Sequence, residues 1–192
     1  VNVKYLAISG DAYLTVNKDA KLTVTGELVN NDEYGLTIID GAQVFHNREN
    51  VKASFTMGIV NPEGEWNENN KTGWQFIASP FVNNTAPIAN FTSPNPSTTD
   101  YDLYKYNGVN AGEEWDNQKD NQLNWGYYFE NGVGYLASYP VERTAYLSGT
   151  LNNASSHTWN FTYNNDEQPL ANFHLLGNPF TFDMDMTQAT FN

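Results

Sequence analysis

The sequence predicts an all-β protein: a short N-terminal parallel β-solenoid run packed on an antiparallel, jelly-roll-like β-sandwich. Three observations predict it. A short phrase recurs between Ile8 and His46. Apolar and polar residues alternate at period two wherever strand formers gather. No stretch sustains the 3.6-residue periodicity of a helix.

The recurring phrase reads Ile8-Ser-Gly-Asp-Ala12-Tyr-Leu14-Thr-Val16, then Val16-Asn-Lys-Asp-Ala20-Lys-Leu22-Thr-Val24, then Ile38-Ile-Asp-Gly-Ala42-Gln-Val44-Phe-His46. Each copy has an apolar residue, a polar turn, a small Ala and renewed alternation. The step from Ala12 to Ala20 is eight residues and that from Ala20 to Ala42 is twenty-two, as for the side and the full coil of a parallel β-solenoid. An antiparallel meander is the rival pattern, since it also spaces strands at about eight to twelve residues. The expected inward set is Leu14, Val16, Leu22, Val24, Leu28, Leu36, Ile38 and Val44, with Val51, Ala53, Phe55 and Met57 forming one more strand. So few coils cannot bury both open ends, so residues 1–60 require a cap.

The polar stretch 61–73 marks a boundary, and 61–192 is assigned to the sandwich. Trp74-Gln-Phe-Ile-Ala-Ser-Pro-Phe81 reads as a strand ended by Pro80, which cannot donate to a ladder. Residues 82–100, rich in Asn, Thr, Ser and Pro, read as a surface loop. Further strands are expected at 101–106, 125–130, 134–139, 145–147, 158–163 and 172–176, with turns at Asn107-Gly108, Asn131-Gly132, Asn152-Asn153 and Asn164-Asn165-Asp166. Phe173-His-Leu-Leu-Gly-Asn-Pro-Phe180 echoes the 74–81 phrase, so the two are expected to be equivalent strands.

Composition narrows the function. Aromatics are 15% and charged residues only 16%, a polar, weakly charged balance associated with extracellular β proteins. The net charge of −13 disfavours nucleic acid and anionic membrane surfaces as partners. With no cysteine, disulfides, thiolate nucleophiles and Cys-based metal centres are excluded. No apolar run reaches transmembrane length. The chain begins at Val1 without a signal-like segment and reads as a processed or excised piece.

In order along the chain, Gly73-Trp-Gln-Phe-Ile-Ala-Ser-Pro80, Tyr101-Asp-Leu-Tyr-Lys-Tyr106, Gly132-Val-Gly-Tyr-Leu136, Tyr146-Leu-Ser-Gly-Thr-Leu151 and Phe173-His-Leu-Leu-Gly-Asn-Pro-Phe180 resemble a module of secreted and surface proteins from Bacteroidetes-type bacteria. There, similar phrases follow β-solenoid phrases like Leu36-Thr-Ile-Ile-Asp-Gly-Ala-Gln-Val44. The resemblance implies an adhesin-like, non-catalytic module that is exported to the cell surface. It carries over no catalytic motif, and such chains continue past the final phrase.

The candidate chemistry is sparse. His46, His157 and His174 are the only histidines; there is no nucleophile elbow, phosphate loop or His-Glu-x-x-His. Paired acids for glycoside hydrolysis, drawn from Glu113, Glu114 and Asp116 or from Asp183 and Asp185, exist only because acids are common. The residues best suited to a ligand are Trp66, Trp115, Trp125, Tyr127 and Tyr128, in or beside polar loops, where ring faces stack on sugars and Asn or Asp supply hydrogen bonds. Trp125 also suits the core, as it starts an aromatic strand; Trp74 and Trp159, within strand phrases, suit the core better than a ligand. Asp116 and Asp120 offer oxygen ligands to calcium without matching the twelve-residue calcium loop. The sequence therefore predicts a structural or adhesive module with no cofactor and no enzymatic activity. Its expected partners are surface glycans or other surface proteins, with a carbohydrate-binding module as the alternative and a small glycan-active enzyme as the third reading.

Overall fold

The computed structural model describes residues 1–59, 73–92, 101–108, 114–119, 125–139, 142–161 and 172–190. The first six strands are β1 (Asn2–Ile8), β2 (Leu14–Val16), β3 (Lys21–Asn30), β4 (Leu36–Ile39), β5 (Gln43–Phe45) and β6 (Lys52–Ile59). They alternate between two sheets, β1-β3-β5 in one and β2-β4-β6 in the other, and every pairing among them is parallel. An antiparallel meander is thereby excluded for this segment.

The register explains the repeated phrase. Leu6 lies beside Leu28, Leu14 beside Leu36 and Leu22 beside Val44. The same step of 22 residues separates Asn30 from the Lys52 carbonyl that its amide reaches. Each recurring Ala closes a turn: the N–H groups of Ala12, Ala20 and Ala42 donate to Ser9, Asn17 and Ile39 at 3.3, 2.9 and 2.8 Å. Asp19 and Gly41 precede two of these alanines with φ of 64° and 84°, a backbone that Asp tolerates and Gly adopts freely. After each turn the alternation sends Leu and Val inward. All the expected inward residues are buried except Leu14, which is half-buried at one end of the stack.

Inside the stack, buried Asn30 donates to the Asp32 and Lys52 carbonyls, both at 2.7 Å, and so ties the end of β3 to the start of β6. The Thr37 and Ser54 hydroxyls do the same at 3.1 Å, over a shorter step of 17 residues.

The remaining elements are β7 (Gln75–Ala78), α1 (Ile88–Thr92), β8 (Asp102–Tyr106), β9 (Trp115–Asn117), β10 (Gly134–Ser138), β11 (Arg143–Thr150) and a 3-10 turn at Met186–Gln188. An antiparallel sheet runs β7-β10-β8-β9. The strand β11 does not join it. It pairs antiparallel with β6 from Arg143–Ile59 to Thr150–Lys52, completing a sheet β11-β6-β4-β2. The sequence boundary near residue 60 is thus crossed by a shared sheet, and one buried cluster runs from Ile8 to Leu151.

The two echoing phrases do not pair with each other. Both flank the start of β10: Ala78 pairs with Gly134, while Leu176 bridges Val133 and Gly134 N–H donates to the Leu175 carbonyl at 3.0 Å. Their prolines converge on two asparagines. Asn131 donates to the Ser79 and Pro179 carbonyls at 3.2 and 3.0 Å, and Asn152 to Pro179 at 2.9 Å. Gly177 must be glycine here, because a Cβ would run into the Val133 carbonyl and the Ala78 methyl.

Three expected strands shrink. Residues 125–130 are irregular: Gly126 takes φ 71°, and the segment bonds to the 86–88 loop through Ile88 to Tyr127 and Phe129 to Ala86, both at 3.0 Å. Residues 158–161 form no strand, and the Trp159 indole instead donates to the Gly132 carbonyl at 2.7 Å. The 172–176 strand reduces to the Leu176 bridge. Conversely, the expected 82–100 loop contains α1, anchored by buried Ile88 and Phe91.

Two substitutions probe these ties. Asn30→Ala leaves two carbonyls without their donor and is expected to cost roughly 2–3 kcal/mol in urea unfolding. Gly177→Ala is expected to cost about 1–3 kcal/mol through overpacking. Gly58→Ala, where nothing lies within 4 Å of an added Cβ, is expected to change little.

Candidate functional site

The loop aromatics occupy different neighbourhoods. Trp115 opens β9, an outer strand, and stands edge-on to Tyr106 with ring centroids 5.1 Å apart. Tyr127 is 81% exposed, and Tyr128 is half-exposed and bridged to Pro87. Trp125 is buried at 4% exposure, its ring against Tyr135 at 5.6 Å and the Lys105 ammonium 5.7 Å from its centroid. Its faces are therefore covered by protein, in line with the core role that its aromatic segment also suggested. Trp66 lies outside the described residues.

The acids already hold structural contacts. The Asp183 carboxylate accepts from the Gln43 amide at 2.5 Å. Asp185 caps the 3-10 turn, accepting from the Thr187 hydroxyl and N–H at 2.6 and 3.0 Å, and these bonds hold its carboxyl below the usual range. Asp116 faces the Asn107 amide at 3.5 Å, while Asp120 and Glu113 lie outside the described residues. Among the described residues, no three His, Asp or Glu side chains converge as a metal shell.

A buried ion pair links β8 to the segment after β9. Asp102 on β8 is fully buried, and Lys119 reaches it at 2.8 Å while its ammonium lies 5.5 Å from the Tyr101 ring centroid. The Tyr101 hydroxyl donates to Gln118 at 2.6 Å, and burial, with the Asp102 charge second, raises its pKa. Burial likewise pushes up Tyr135 and Tyr139, which pack with Phe91 and Phe129. These groups are poised to hold charge and packing in place rather than to exchange protons near neutrality.

Two concavities stand out among the described residues. One of about 210 Å³ lies at the seam where β6, β7 and the Asn178–Phe180 segment meet, lined by Asp40, Phe55, Gln75, Phe76 and Asn178 among others. Phe76 is 72% exposed. An exposed ring beside carboxylate and amide groups is the chemistry that recognises a sugar. Sequence reasoning passed over this place because its residues belong to the 74–81 and 173–180 phrases, which read as purely structural. The second concavity, about 340 Å³ and mainly apolar, lies between β1 and β2.

Compared with known proteins, the chain matches no family model, no curated protein and no solved structure. Among the described residues, no helix is long and apolar enough to cross a membrane.

His46, just after β5, gives the fold a pH signature. Burial lowers its pKa from 6.5, and its Nε2 is buried without a partner among the described residues. The unfolded chain then binds a proton before the folded one does, so stability is full above pH 6.5 and falls as the pH drops through that value toward the lowered folded pKa. His157, also lowered by burial, acts in the same direction. In denaturant titrations across this range, His46→Gln is expected to show a shallower fall than the parent chain.

Proposed function

We propose that this chain is a non-catalytic structural or adhesive module of an exported bacterial cell-surface protein, akin to the Bacteroidetes-type modules that its phrases resemble. In this reading, residues 1–60 are a short β-solenoid run, and 61–192 are a jelly-roll-like sandwich that caps it and carries the loops that meet partners. The observation that carries the reading is the shared sheet. With β11 laid along β6 over the whole of its length, the stack and its cap resist shear as one body, which suits a spacer under load more than an enzyme that must open and close. The acids that sequence offered for catalysis and that lie among the described residues include Asp183 and Asp185, and both are engaged in capping and docking contacts. No cofactor is invoked, and surface glycans or other surface proteins are the expected partners.

The test is incubation with soluble polysaccharides of varied linkage, followed by measurement of new reducing ends. No release above buffer is expected. Release that disappears when one acid is replaced would overturn the non-catalytic reading.

A carbohydrate-binding role is the second reading, favoured by the seam concavity with its exposed Phe76. A glycan array separates its versions. Signal lost in Trp66→Ala or Trp115→Ala assigns the loops, and signal lost in Phe76→Ala assigns the seam. Signal unchanged in all three folded variants removes this reading.

A further inference from the structure

The antiparallel sheet β7-β10-β8-β9 has two unlike faces. Its register puts Ile77, Tyr135, Leu103 and Ala137 on one side, and all four are buried. On the other side a row runs Phe76, Leu136, Tyr104, Asn117 across all four strands. Strand alternation brings Trp74, Tyr106 and Trp115 to this same side. Two ring contacts agree: Trp74 meets Tyr104 edge-on at 5.6 Å, and Tyr106 meets Trp115 at 5.1 Å.

These rings reach water. Phe76 is 72% exposed, Trp74 38% and Trp115 36%, while Tyr104, Tyr106 and Leu136 are half-buried. A contiguous run of aromatic surface marks a binding place more than chance exposure does. Phe76 also lines the seam concavity, so the strip continues into the group formed by Asp40, Gln75 and Asn178.

We propose that this face binds one chain of a neutral, flat-ribbon polysaccharide with equatorial linkages, of the cellulose, mannan or xylan type. The proposal rests on the carbohydrate reading above and joins its two versions, because Phe76 and Trp115 stand on the two outer strands of one strip. Three strand spacings of about 4.8 Å put Asn117 roughly 14 Å from Phe76, the span of an oligosaccharide and not of one sugar ring. A sheet face suits a chain that lies flat and offers its C–H faces to successive rings; a helically coiled glucan would meet fewer of them. The Asn117 amide, which donates to the Tyr104 hydroxyl at 3.1 Å, sets a polar edge beside the rings. Charge selects a neutral ligand. The row and its flanking rings include no Lys or Arg, and the net charge is −13. Lys105 and Lys119, on or beside the same strands, are already paired with Glu130 at 3.2 Å and Asp102 at 2.8 Å, so a carboxylated or sulfated glycan would lack a cation here.

Isothermal titration calorimetry against cello-, manno- and xylo-oligosaccharides, from disaccharide to hexasaccharide, tests the proposal. Affinity for at least one series is expected to rise with chain length. Phe76→Ala and Trp115→Ala are each expected to weaken hexasaccharide binding by about fivefold or more. Tyr146→Ala, exposed on β11, is expected to leave it unchanged. Hydroxyl-radical footprinting of the unsubstituted chain needs no variant: saturating hexasaccharide is expected to lower oxidation of Trp74, Phe76 and Trp115 together and to leave Tyr146 as it was. Binding that survives both substitutions, or weakens in only one of them, overturns the strip and leaves the carbohydrate reading standing. Silence toward all three series with a glycan-array signal for another sugar does the same, whereas silence in both experiments removes the carbohydrate reading too. Protection of the three rings that grows with protein concentration in the absence of glycan assigns the face to a second copy and overturns the proposal.

Discussion

A stack of parallel strands has ends, and an end is a row of unpaired backbone groups above an open apolar core. That constraint organises this molecule. Inward Leu and Val columns supply the hydrophobic gain, but the columns terminate, and Val3, Leu6 and Leu14 on the outermost strands are only half-buried while Val16 stays buried. Here the later part of the chain returns twice to cover one end, once as β11 on β6 and once as the Phe180–Thr181–Phe182 segment on β5.

The return explains features that look unrelated in sequence. The aromatic stack from Phe45 through Phe182 to Phe180, with centroid separations of 4.5 and 4.9 Å, covers the β5 strand, and the Lys21 ammonium lies over its first ring at 4.3 Å. Asn131 and Asn152 collect the carbonyls that the two Pro-containing phrases leave without ladder partners, which satisfies buried acceptors at the junction. Gly177 exists because two backbones cross there. The antiparallel sheet packs behind this junction on an aromatic cluster, with Phe91, Phe129 and Tyr135 in edge-to-face contact.

Much of the first sixty residues was legible in sequence because period-two alternation and a turn-closing Ala are local signals, repeated at a step that the register obeys. The return of β11 was not legible: Ala145 to Leu147 showed strand character, but nothing in those residues names β6 as the partner, since pairing between distant strands is decided by the whole sheet. The strand readings at 125–130 and, over its described residues 158–161, at 158–163 failed for a related reason. Their aromatics mark packing, and Trp125 and Trp159 pack without a ladder around them. The candidate site was the least legible part. Loop aromatics advertise themselves, whereas the seam concavity is assembled from Asp40, Phe76 and Asn178, which are far apart in the chain and individually ordinary.

The central claim is that the late segments are the structural cap of the early stack. Native-state hydrogen exchange along a denaturant series tests it most directly. If the claim holds, the amides of β5, β6, β11 and residues 176–183 open together, with one free energy and one denaturant dependence. Should β5 and β6 keep full protection after β11 and 176–183 have opened, the stack does not depend on its cap and the account is contradicted.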